Sequence, residues 1–109
     1  MTLGDVINAR RVLSSISEPV EFATAYKIAK FIDTTETEQK LFDEKGKEIL
    51  EKYQVDGVIP SDKENEADAE FNTLALTEVE KPSTKFAVDD FKGLKITSVQ
   101  AFILLKFME

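Results

Sequence analysis

Asp89 and Asp90 form the sharpest acidic pair in the chain, and with a third oxygen donor such a pair can hold a divalent cation. Adjacent aspartates more often cap a turn, because their short carboxylates accept hydrogen bonds from nearby backbone N–H groups. A second acidic set, Asp62, Glu64, Glu66, Asp68 and Glu70, has the alternating spacing of ligands in a calcium loop. It lacks the glycine at the sixth position and the bidentate glutamate at the twelfth, so it is not one. On a helix, Asp62, Glu66 and Glu70 share one face. That face is either solvated or an acidic strip that docks on a basic surface, and these three residues are the candidate partner-binding site.

The remaining inventory is short of chemistry. The chain has no His and no Cys, which removes the commonest general base, the commonest transition-metal ligand and the thiol nucleophile. The four glycines are isolated, so there is no phosphate-cradling loop. No catalytic, cofactor-binding or metal-ligating residue is assigned, and the expectation is a protein that is not an enzyme. Formal net charge is −7, with −2 in residues 1–55 and −5 in residues 56–109. Such a field opposes direct binding to nucleic acid or to an anionic membrane, both of which reward cationic surfaces. The first residues lack a charged segment followed by an apolar core, so no signal peptide is expected.

The elements that must carry these residues are helical for the most part. A first helix is predicted from Thr2 to Ile16, with Leu3, Val6, Ile7, Val12 and Leu13 on its apolar side. Thr2 suits the N-cap and Asp5 the first turn. Arg10 and Arg11 point away from most of that stripe and read as a solvated face. After Ser17-Glu18-Pro19, apolar spacing continues from Val20 to Tyr53, with a polar interval at residues 33–40. No Gly or Pro interrupts that interval, so one continuous helix is favoured over a helical hairpin. Tyr26 and Tyr53 fall on the apolar stripes and are read as core-edge residues rather than stacking platforms. A helix this long needs cover along its length, which makes Phe42, Ile49 and Tyr53 the candidate interface of a homo-oligomer.

Asp56-Gly57 is the strongest turn signal. Ser61 and Glu64 have capping-box spacing and open a helix from about residue 62, with Ala67, Phe71, Leu74 and Ala75 buried. Alternation at Thr77, Val79 and Lys81, then Pro82-Ser83, then Lys85 to Val88, predicts a small β-hairpin. Thr97 and Gln100 again have capping-box spacing. The segment from Ile96 to Glu109 is apolar nearly all round, so it should be wrapped by the fold or by a partner, with Phe102 and Leu105 in the core. It is too short to span a bilayer, which takes roughly 20 apolar residues.

Three stretches carry a resemblance. They are Thr24 to Ile32, Leu41 to Tyr53 with its Glu-Lys-Tyr ending, and Phe86 to Phe91 followed by Leu94 to Met108. In these the chain resembles a family of small uncharacterised proteins of phages and prophages of Gram-positive bacteria. Gly46 stands where that pattern has a long polar residue. The resemblance implies a phage setting, in the host-cell cytoplasm or with the virion, and no catalytic residues.

The expected architecture is therefore a single small domain over residues 1–109, mainly α. It has a long helix or helical hairpin, shorter helices and one small β-hairpin. The expected function is that of a non-enzymatic accessory protein acting through protein–protein contact, with virion assembly as one setting. The alternative is an acidic inhibitor of a host nucleic-acid enzyme or defence nuclease. No cofactor is expected, and the partner is a phage or host protein.

Overall fold

The computed structural model describes residues 1–108; Glu109, the last residue of the terminal stretch, lies outside them. The described residues form five α-helices: α1 (Leu3–Ser14), α2 (Phe22–Thr34), α3 (Glu36–Tyr53), α4 (Glu64–Ala75) and α5 (Ser98–Leu104). Three single 3-10 turns, Ser61–Lys63, Val88–Phe91 and Leu105–Phe107, join or extend them. The molecule is mainly α, and among the described residues there is no sheet.

The most deeply buried helix is α1, not the terminal one, and only Asn8, Arg11 and Ser14 on one face of it are exposed. Leu3, Val6, Ile7, Ala9, Arg10, Val12 and Leu13 are all buried, and α1 touches each of the other four helices. Its small residues allow this. At Gly4 an added Cβ would stand 3.1 Å from the Ala75 carbonyl oxygen, so the end of α4 packs closely here against a glycine and would have to shift by a few tenths of an ångström for any side chain. The predicted cap is present: Asp5 N–H donates to Thr2 Oγ1 and Thr2 N–H donates to the Asp5 carboxylate, each at 3.2 Å.

Two apolar clusters flank α1. On one side Val6, Ala9, Val12 and Leu13 meet Phe31, Phe86, Phe91, Leu104 and Phe107. Phe31 lies edge-on to Phe107 with ring centroids 5.2 Å apart, and Phe86 packs on Phe91 at 5.4 Å. On the other side Leu3, Ile7 and Leu74 meet the half-buried Leu41, Phe42 and Ile49. The first cluster joins α1 to α2 and the C-terminal elements, and the second joins it to α3 and α4.

The continuous helix expected from Val20 to Tyr53 is instead broken at Thr35, whose backbone leaves helical geometry (φ −103°, ψ 11°). The cause is a side chain from elsewhere. Arg10, 9 % exposed, donates from Nη1 to the Ile32 carbonyl at 2.6 Å and to Thr35 Oγ1 at 2.7 Å. Its Nε reaches Gln39 Oε1 and its Nη2 the Glu36 carboxylate, both at 3.1 Å. Thr34 and Thr35 also donate back to the Lys30 and Phe31 carbonyls, at 2.9 and 2.6 Å. Hydroxyls that back-bond, and a side chain inserted into the carbonyl ladder, are both known causes of helix bending. The reading of Arg10 as a solvated residue is thus corrected: it is the plug of the bend. The two halves do not close into a hairpin, since α4 rather than α2 lies along α3.

The β-hairpin predicted at residues 77–88 is not seen. Its two halves pair with different ends of the chain. Leu3 N–H donates to the Thr77 carbonyl at 2.7 Å and Val79 N–H to the Met1 carbonyl at 3.0 Å. Phe86 N–H donates to the Phe107 carbonyl at 2.8 Å. Only isolated bridges result. The Asp-Gly signal makes a tight turn, with Val55 and Val58 exchanging hydrogen bonds across Asp56 (φ 53°) and Gly57 (φ 80°). Two successive positive φ values define a type I′ turn. Ser61 makes no side-chain cap; a 3-10 turn precedes α4 instead.

The terminal segment keeps its predicted cap, with Gln100 N–H donating to Thr97 Oγ1 at 3.1 Å. It is not wrapped. Leu104 and Phe107 are buried, but Phe102 is 69 % and Leu105 60 % exposed. Seven helical residues cannot turn every side chain inward when only one side meets α1.

Two predictions follow from this packing. Arg10→Ala should destabilise the fold by about 2–4 kcal/mol, because it orphans buried acceptors as well as removing a charge. Arg10→Lys should recover little, since an ammonium cannot present the planar fork. Denaturant midpoints measure both. At dilutions where the chain is unassociated, Leu104→Ala and Phe107→Ala should each cost about 2–5 kcal/mol, whereas Phe102→Ala and Leu105→Ala should stay within about 0.5–1 kcal/mol. Equal losses in the two pairs would show that the outer side of α5 is covered in solution.

Candidate protein-binding surfaces

The acidic strip does not survive as three free carboxylates. Asp62 is exposed in the turn before α4. Glu66 lies 3.7 Å from the Lys63 ammonium, a loose surface pair. Glu70 is half-buried and accepts from Lys52 Nζ at 3.1 Å, tying α4 to the end of α3. The Tyr53 hydroxyl, and then the Lys52 ammonium, hold the Glu70 carboxyl below its usual value. The same carboxylate raises both Lys52 and Tyr53. Asp62, Glu64 and Asp68 carry no ion pair among the described residues, so the helix remains an acidic surface with different members.

Asp89 and Asp90 have separate surroundings. Asp90 accepts from the Ala87 N–H at 2.7 Å and from Lys27 Nζ at 2.8 Å, closing the 3-10 turn and fastening it to α2. The Ala87 hydrogen bond and then Lys27 hold its carboxyl below the ordinary value of 3.8. Asp89 is exposed. Among the described residues no group of three or more His, Cys, Asp or Glu side chains stands together as a metal site.

Phe42, Ile49 and Tyr53, the candidate oligomer contact, are half-buried within the chain. Phe42 and Ile49 pack on the Leu3, Ile7 and Leu74 cluster, and the Arg11 guanidinium sits 5.9 Å above the Phe42 ring. Tyr53 lies under Lys52, whose ammonium is 5.2 Å from the ring centre. Gly46 is buried beside them, with the Phe71 ring in ordinary contact distance, 3.5 Å, of where a Cβ would be.

Apolar surface left uncovered lies elsewhere. Val99, Phe102 and Leu105 recur every third residue on the outer side of α5 and its 3-10 extension, and all are exposed. Beside them is a groove of about 530 Å³ whose wall includes Val88, Phe91, Ile96, Leu104 and Leu105. At the start of α2, Phe22 and Tyr26 are also exposed, with ring centroids 6.3 Å apart. Tyr26 is therefore not the core-edge residue that its spacing suggested.

No protein-family model, curated protein or solved structure matches the chain. No helix among the described residues is long and apolar enough to cross a membrane. What the surface offers is shape and charge: an acidic helix, an apolar helix edge, and a groove beside each.

Asp90→Ala should cost about 1–3 kcal/mol at neutral pH, the range for a charge-assisted hydrogen bond, while Asp89→Ala should cost almost nothing. Because the folded carboxyl titrates below 3.8, this stabilisation is full above that pH and is lost as pH falls through the lower, folded-state value. Stability of wild type and Asp90→Asn, measured across an acid titration, should therefore converge below pH 3.8. A difference that persists unchanged into that range would mean the ionised carboxylate is not the stabilising species.

Proposed function

We propose that this chain is a non-enzymatic accessory protein of a phage or prophage that acts by binding proteins, with virion assembly as its setting. The observation that carries the reading is the exposed row of Val99, Phe102 and Leu105 beside an apolar groove. Contiguous apolar surface on a soluble protein is usually an interaction site. The first occupant is a second copy of the chain, since a two-fold contact lets one face cover the same face of its twin. The phage setting rests on the residue pattern of Thr24 to Ile32, Leu41 to Tyr53 and Phe86 to Met108.

The second reading, inhibition of a host nucleic-acid enzyme, is favoured by one feature. Asp62, Glu64 and Asp68 remain exposed without lysine partners on a half of the chain with net charge −5. Salt separates the two, because screening weakens charge docking and leaves an apolar contact largely intact.

Light scattering on wild type and on Phe102→Asp/Leu105→Asp tests the first reading. Wild type should have at least twice the mass of one 12.3 kDa chain, insensitive to salt, and the variant should return to a single chain with its helical content unchanged. In a phage carrying the gene, the variant should reduce particle yield. A single-chain mass for wild type at every concentration, together with normal particle yield from the variant, would remove α5 as the working surface.

A further inference from the structure

The exposed aromatic pair on α2 belongs to a groove whose charge is opposite to that of the protein. Its walls include Phe22, Tyr26, Lys27, Lys30, Thr84 and Lys85, around a volume of about 450 Å³, and no carboxylate lines it. Four other grooves on the described surface each carry at least one, Asp68, Asp90, Asp89 and Glu70 among them. On a chain of net charge −7, a cationic groove free of acids is a local inversion.

Lys27 is engaged with Asp90, but Lys30 and Lys85 make no ion pair among the described residues. Phe22 is 84 % exposed and Tyr26 leans on it at an interplanar angle of 31°, so the two rings make one apolar platform. The opposite wall is the segment from Ser83 to Lys85, which belongs to no helix or strand. Its backbone N–H groups make no hydrogen bond within the chain among the described residues, whereas Val79 and Phe86 on either side are tied down. Thr84 is buried, so Ser83 and Lys85 are the exposed residues of this wall.

We propose that this groove docks a short acidic peptide segment of a protein partner. An apolar side chain of the segment sits on Phe22 and Tyr26, its flanking carboxylates reach Lys30 and Lys85, and its backbone carbonyls face the free N–H groups of residues 83–85. Extended peptides bind unpaired backbone in this way, with side-chain pockets setting the choice of sequence. Single-stranded nucleic acid also favours aromatics and lysines. It fits less well, because the rings pack on one another instead of leaving a slot for a base. Two uncompensated lysines also neutralise few phosphates. The surface is separate from α5 and from α4, so its loss would leave the self-association described above unchanged.

The test is an amide chemical-shift titration of the isotope-labelled intact chain. The probe is a short synthetic peptide of Asp and Glu around one central Leu. Controls are the same peptide with Ala for Leu, and an oligothymidine. Saturable shifts are expected at Phe22, Tyr26, Lys30 and residues 83–85, with the Ala peptide weaker by about tenfold, as loss of one buried anchor implies. Lys30→Glu/Lys85→Glu should abolish the shifts while leaving the melting midpoint within a degree or two, because neither lysine is in an ion pair. Phe22→Ala, a second variant at an exposed side chain, should weaken binding to a similar extent as the Ala peptide does. No saturable shifts, shifts elsewhere, binding unchanged in both variants, or tighter binding of oligothymidine would each overturn the proposal.

Discussion

A buried guanidinium must find acceptors for its N–H groups, and the fold is arranged around how Arg10 finds them. A helix interior offers no spare carbonyl, because each is taken four residues on. The break at Thr35 supplies one, from Ile32, together with a hydroxyl and two side-chain oxygens. Arg10 and the break therefore support each other: the break frees the Ile32 carbonyl for the arginine, and the arginine satisfies that part-buried carbonyl and the buried Thr35 hydroxyl. On either side of the break, α2 packs into the first apolar cluster and α3 into the second, and both clusters are thin.

Two thin clusters give an elongated body, 47 × 26 × 19 Å, with much surface for its volume. A small chain so shaped cannot cover all its large apolar side chains. Uncovered ones stand at the start of α2, on the outer side of α5, and just past the ends of α3 and α4 at Val55, Val58 and Leu76. Acids are partly neutralised where helices meet, as at Glu70 with Lys52 and Asp90 with Lys27, and lysines are left over beside Phe22.

Local signals were legible in the sequence. Thr2 with Asp5 and Thr97 with Gln100 cap their helices as spacing predicts, because a capping box involves four consecutive residues and no tertiary partner. Asp56-Gly57 turns for the same reason. What failed depended on distant residues. No Gly or Pro marks Thr35, since the agent of the break is an arginine 25 residues earlier. The alternation at residues 77–88 is real, but the ends of the chain supply the pairing partners, so it makes bridges and not a hairpin. Hydrophobicity placed the wrapped helix at the C-terminal end, whereas the close approach at Gly4 and the burial of seven residues make α1 the most enclosed helix. Of the candidate sites, the acidity of α4 could be read directly. The reach of Lys52 to Glu70 across two helices could not, and neither could the exposure of Phe22 and Tyr26, which share the apolar spacing of buried neighbours.

The central position of α1 has a consequence during synthesis. Among the described helices it stands first in the chain, and its buried sides are covered by elements made after it: α2 and α3, then α4, then the segment at residues 77–86, and last α5. A nascent chain that has produced only α1 and α2 therefore carries an apolar rod with most of its circumference bare. Arg10 can dock as soon as residues 32–39 emerge, which would fix one side early, but the Phe31 cluster stays open until Phe107 arrives. Slow translation of the last third would prolong that open interval, when association with other unfinished chains competes most strongly with folding.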